Sequence, residues 1–99
     1  MITAQEVAAR VTSAVAFQDP EHGDWVAMVR MDSGMKLESR KNGTADSALR
    51  SAIMGLFAQM NCGGGITQGV ATEAAGLLIS EKRVHYYVSS GTYIPSALA

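Results

Sequence analysis

The stretch WVAMVRMDSGMKLESR, residues 25–40, decides the fold. Trp25, Ala27, Val29 and Met31 alternate with Val26, Met28 and Arg30, a two-residue period that sends the sets to opposite faces of a strand. Asp32, Ser33 and Gly34 supply turn chemistry, and Met35, Leu37 and Ser39 then alternate with Lys36, Glu38 and Arg40. Two antiparallel strands are expected, the second with Met35 and Leu37 inside and its charges outside. The first strand is apolar on both faces. If Trp25, Ala27, Val29 and Met31 face the core, Val26 and Met28 need cover from a partner or from another part of the chain.

Outward from this hairpin, Thr3 and Glu6 have the spacing of a capping box, and Val7, Val11, Ala14 and Val15 continue at helical intervals. A helix over about 4–17 is expected, ended by Gln18, Asp19 and Pro20. After Asn42 and Gly43, Thr44 caps the strongest helical pattern: Ala45, Ala48, Leu49, Ala52, Ile53, Leu56, Phe57 and Met60 form one stripe, with Met54 outside it and partly exposed. Asp46 complements the dipole of its first turn, and Asn61 with Gly63 supplies the stop.

The segment 66–79 reads two ways. Thr72 can cap a short helix, but Gly69 and Gly76 weaken it, and the strand reading, around 75–80, is preferred because Arg83–Val88 is rich in β-formers. Ser80, Glu81 and Lys82 then turn a second hairpin, and Thr92–Ala99 reads as a C-terminal tail in which Tyr93 and Ile94 can dock before Pro95. The expected fold is a single α+β domain over residues 1–99: an antiparallel sheet of about four strands in two hairpins, with two helices, in the order α-β-β-α-β-β. That order, over the outline from Trp25 to Val88, resembles roadblock-like domains and the small phage proteins that inhibit host defence complexes, the anti-CRISPR type. The resemblance implies an adaptor or an inhibitor that acts by occupying a protein surface, and it carries over no individual residue.

A chain of 99 residues holds one core, and its 47% hydrophobic content excludes wholesale disorder. The net charge of −1 removes the counterion-release drive on which non-specific nucleic-acid binders depend. Cys62 stands alone, no segment approaches the length of a membrane span, and the start Met-Ile-Thr-Ala-Gln-Glu has no signal-peptide pattern; a cytoplasmic location is expected.

The motifs that could carry chemistry all have plainer readings. Gly63, Gly64 and Gly65 follow a helix, whereas a phosphate-cradling loop follows a strand and opens a helix, so they read as a cap and linker. A nucleophilic Cys62 needs a base, and nothing in the spacing brings His22 or His85 to it. Asp19, Glu21, His22 and Asp24 gather ligand types without the order of a calcium loop or the ligand number of a zinc site. His85, inside a β-rich run, reads as a packed or rim histidine rather than a general base. No catalytic residue, cofactor or metal is therefore expected, and the chain reads as a non-enzymatic protein-binding domain.

Its expected interface comprises Val26, Met28, Arg30, Lys36, Arg40, Tyr86 and Tyr87. Six methionines, with Met28, Met31 and Met35 around one hairpin, provide adaptable apolar surface, and a homodimer through the sheet or its edge is the first expectation. The competing reading is a single-stranded nucleic-acid or RNA module, in which Arg30, Lys36 and Arg40 neutralise phosphates and Tyr86 or Tyr87 stacks a base.

Overall fold

The computed structural model describes residues 2–19, 21–60 and 66–88. Along the chain these form α1 (Ala4–Arg10), β1 (Val11–Gln18), β2 (Trp25–Met31), β3 (Lys36–Glu38), α2 (Ala45–Met60), α3 (Gln68–Ser80) and β4 (Val84–Val88). The α+β class is as expected, but the order is α-β-β-β-α-α-β, with three helices rather than two. The sheet runs β3-β2-β1-β4. It is mixed rather than antiparallel: β1 pairs antiparallel to β2 and parallel to β4.

Two differences from the sequence reading produce that topology. The first helix stops at Arg10, not at 17, and passes without a loop into β1. The capping box forms as expected, with the Thr3 hydroxyl accepting from the Glu6 amide at 3.2 Å. Beyond Arg10, however, Val11, Thr12, Val15 and Phe17 are β-branched or aromatic, and tertiary pairing with β2 decides the conformation. Second, the expected strand at 75–80 is the end of α3, so the second hairpin does not exist. Its cap is Thr67, whose hydroxyl accepts from the Val70 amide at 3.2 Å, rather than Thr72.

Ala71, Ala74, Ala75 and Leu78 form the buried stripe of α3, while Gly69 and Gly76 lie on its exposed side. Each glycine costs the helix about 1 kcal/mol relative to alanine, which burial of the stripe outweighs. The small side chains let α3 pack closely on α1 and α2. Ser80, Glu81 and Lys82 end the helix instead of turning a hairpin. The Lys82 amide donates to the Ile79 carbonyl and the Arg83 amide to the Leu78 carbonyl, with Lys82 left-handed at φ 57°. This is a Schellman ending with lysine where glycine is usual.

All three helices lie on one face of the sheet. Their buried residues (Val7, Leu49, Ile53, Leu56, Phe57 and Leu78 among the largest) form a single cluster with Val11, Ala14, Ala16, Ala27, Val29, Met31 and Val84 from the strands. The expected inward set of β2 is therefore found, with Trp25 packed at its margin. Gly55 of α2 lies so close to β3 that a Cβ there would be 3.0 Å from Leu37 Cδ2.

The turn from β2 to β3 falls at Asp32–Gly34, as expected, with Gly34 at φ 90° and the Met31 amide donating to the Met35 carbonyl. Met35 belongs to this turn rather than to the strand. Its side chain is 37% exposed instead of facing inward, and β3 itself is only three residues long. The expected stop at Asn61 and Gly63, together with Cys62, the glycine run and the tail 92–99, lies outside the described residues.

Candidate interaction surface

Register fixes which side chains share the face without helices. Val15 is opposite Met28 and His85, Phe17 is opposite Val26 and Tyr87, Met28 is opposite Glu38, and Arg30 is opposite Ser13 and Lys36. Directly paired residues lie on the same side of a sheet, so these ten form one surface. Tyr86 pairs with Ala16 and lies on the helix side, its ring edge-on to Trp25 at 6.2 Å.

Of the expected interface residues, Val26, Met28, Arg30, Lys36 and Tyr87 therefore share a face, and Tyr86 does not. Arg40 is exposed just beyond β3, where the register slips by one residue between the pairs Met28–Glu38 and Trp25–Asn42. The slip is bridged by Ser39. Its amide donates to the Ala27 carbonyl at 2.7 Å, and its hydroxyl accepts from the Ala27 amide at 2.9 Å and donates to the Arg40 carbonyl at 2.9 Å.

The centre of the helix-free face is dry. Val15 is 1% exposed, Phe17 5% and Met28 5%, and Val26 and Arg30 are half-buried. Met28 is thus shielded within one chain, and no second copy is needed to cover it. Val15 and Phe17 were missed from sequence because their segment reads as helix. The available signal was the alternation of Ser13, Val15 and Phe17 against Ala14 and Ala16.

What remains exposed lies at the borders. On one side, Lys36 faces Arg30 across the strands; neither forms an ion pair among the described residues, and Arg30 Nε is buried without a hydrogen-bond partner. On the other side is β4, the outermost described strand, with Tyr86 48% and Tyr87 40% exposed on opposite faces. Tyr87 stacks on Phe17 with ring centroids 5.5 Å apart. Burial raises the Tyr86 hydroxyl above its ordinary pKa, with a smaller contribution from the Asp46 carboxylate.

The cations and Tyr87 occupy opposite corners of the face. Four residues along β1 and two strand spacings separate them, about 16 Å. A single base cannot stack on the ring while its own phosphate meets Arg30.

Two polar groupings lie elsewhere. In the β1–β2 loop, ligand atoms of Asp19, Glu21 and His22 lie within 4.8 Å of one another. The Asp19 carboxylate is already engaged, accepting from the Glu21 amide at 2.9 Å and meeting His22 Nδ1 at 3.1 Å. Those contacts, the amide foremost, hold its pKa below the usual 3.8. A groove of about 300 Å³ between α2 and α3 is lined by Thr44, Asp46, Ser47, Arg50, Thr72, Ala75, Gly76 and Ile79. The Thr44 hydroxyl there is committed to capping, accepting from the Ser47 amide at 3.1 Å.

Among the described residues, no helix is long and apolar enough to cross a membrane. No protein-family model, curated protein or solved structure matches the chain.

Proposed function

We propose that the chain is a small non-enzymatic binding protein, an adaptor or inhibitor that acts by occupying a surface, and that β4 is its contact element. One observation carries this reading: β4 is the outermost described strand and bears two tyrosines exposed on opposite faces. An edge strand offers unpaired amides and carbonyls to another strand, and proteins usually blunt such an edge with charge or proline. Val84–Val88 contains neither. Tyrosine suits the role because it buries a large ring at little entropic cost and keeps a polar tip.

The first partner is a second copy of the chain. Antiparallel pairing centred on Tyr86 sets Tyr86 against Tyr86, and His85 against Tyr87, without opposing charges. A five-residue edge falls below the roughly 1,200 Å² of a standard stable interface, so the association is weak, with a dissociation constant in the micromolar range. Sedimentation across a micromolar concentration series tests it. Wild type associates and Tyr86→Lys does not; a wild type that stays monomeric throughout overturns the proposal.

A nucleic-acid module is the second reading, favoured by the Arg30–Lys36 corner, which has no anionic partner among the described residues. Binding to single-stranded RNA that falls steeply from low to moderate salt, and is lost in Lys36→Glu, would select it.

A further inference from the structure

We infer that the groove between α2 and α3 binds a small zwitterion, an α-amino acid with an apolar side chain, through Asp46 and Arg50. β4 takes no part, so the groove and the edge strand hold or fail separately. At about 300 Å³ the groove lies at the lower end of the range for small-ligand sites. Its polar groups fall into two kinds. The hydroxyls of Thr44 and Ser47 bond to each other at 2.8 Å within the cap of α2, and the Thr72 hydroxyl donates to the Gln68 carbonyl at 2.8 Å. Asp46 and Arg50, by contrast, form no ion pair among the described residues. Opposite charges four residues apart on a helix share a face and commonly pair. Here both line the groove without meeting, which leaves one anion and one cation unengaged within a single helical turn.

Charge and shape identify the occupant. A guanidinium fork takes a carboxylate through two parallel N–H donors, and a carboxylate takes an ammonium, so the pair is complementary to a ligand carrying both charges. Asp46 and Arg50 start about 6 Å apart along α2, which favours a ligand whose opposite charges are close together, as on the α-carbon of an amino acid. The other wall is apolar. Ala75, Gly76 and Ile79 lie at three- and four-residue steps on one face of α3, with Ala75 buried and Ile79 half-buried. A Cβ at Gly76 would meet nothing within 4 Å, so close packing does not demand glycine there. Glycine in mid-helix is unfavourable to the helix. What it provides at this position is an open floor, wide enough for an aliphatic side chain.

The test titrates free leucine into the full chain and follows amide signals by NMR. Expected is saturable movement of the Asp46, Arg50 and Gly76 signals with a dissociation constant of roughly 1 mM, in keeping with a ligand of few atoms held by exposed charges. Asp46→Asn and Arg50→Gln each weaken binding about fivefold, and so does removing one charge from the ligand, as in isocaproate or isoamylamine. Gly76→Leu fills the groove and abolishes the movement, with a melting temperature no lower than that of wild type. The absence of saturable movement up to about 20 mM leucine, well above the expected constant, overturns the inference. So does equal binding of isocaproate or isoamylamine, which would reduce the site to one charge, and so does undiminished binding by Gly76→Leu.

Discussion

Met28→Ala separates a side chain that stabilises the monomer from one that serves only an interface. The substitution removes three heavy atoms from a site 5% exposed in the single chain. At about 0.8 kcal/mol per methylene-sized group the transfer loss is roughly 2 kcal/mol, and incomplete collapse of the site adds to it. The expected loss is about 2–3 kcal/mol, near the lower end of the range for buried methionines because the site lies outside the main core cluster. For a domain of this size that lowers the melting temperature by roughly 10–20 °C. Thermal and urea melts at two protein concentrations tenfold apart measure it, with Met35→Ala, whose side chain is 37% exposed, as a control expected to move stability by less than about 0.5 kcal/mol. The reasoning fails if Met28→Ala matches the control, or if its effect appears only as a changed concentration dependence, because Met28 would then be buried between copies.

Ser39→Ala leaves the buried Ala27 amide without its acceptor and should cost about 1–3 kcal/mol, read from urea midpoints; a neutral substitution would show that the hydroxyl is not needed at the register slip. Gly55→Ala sets a methyl 3.0 Å from the tip of the half-buried Leu37 side chain, so alanine's better helix propensity is offset by a small shift of Leu37 and stability should change by less than about 1 kcal/mol; a larger loss, relieved in combination with Leu37→Ala, would show that Leu37 cannot move. Lys82→Gly removes a left-handed lysine and should raise stability by up to about 1 kcal/mol, whereas Lys82→Val should lower it. The Asp19 carboxyl should titrate below 3.8 by NMR, and His22→Ala should return it only part of the way, because the Glu21 amide is the larger cause. Its folded pKa is depressed, so whatever stability it contributes is present above the unfolded pKa and disappears as pH falls through the folded value.

The parts of the fold that could be read from sequence were those where local pattern and tertiary demand agree. The Thr3–Glu6 box, the stripe of α2, and the alternation of Trp25, Ala27, Val29 and Met31 each express one period with one set of neighbours. Residues 11–17 failed because Val7, Val11, Ala14 and Val15 satisfy helical spacing while the strand reading draws on every second residue, and only pairing with β2 breaks the tie. Residues 68–80 failed for the opposite reason. Their alanine stripe competes in the sequence with Gly69 and Gly76, which stand on the exposed side where burial does not depend on them. The surface inherits both errors. The hairpin alternation alone puts Met28, Arg30 and Lys36 on one face, whereas separating Tyr86 from Tyr87 depends on β4 running parallel to β1 and pairing Tyr86 with Ala16.

The place of β1 in the sheet bears on how the protein is made. One neighbour, β2, follows within a few residues, but the other is separated from it by the whole of β3, α2 and α3. On a ribosome, the open flank of β1 must therefore wait until almost all of the helical layer has emerged before its parallel partner arrives. Closing so long a loop is slow, and an unpaired strand of this composition is a ready template for a neighbouring nascent chain. Overproduction should accordingly favour inclusion bodies unless synthesis is slowed or a chaperone holds that flank.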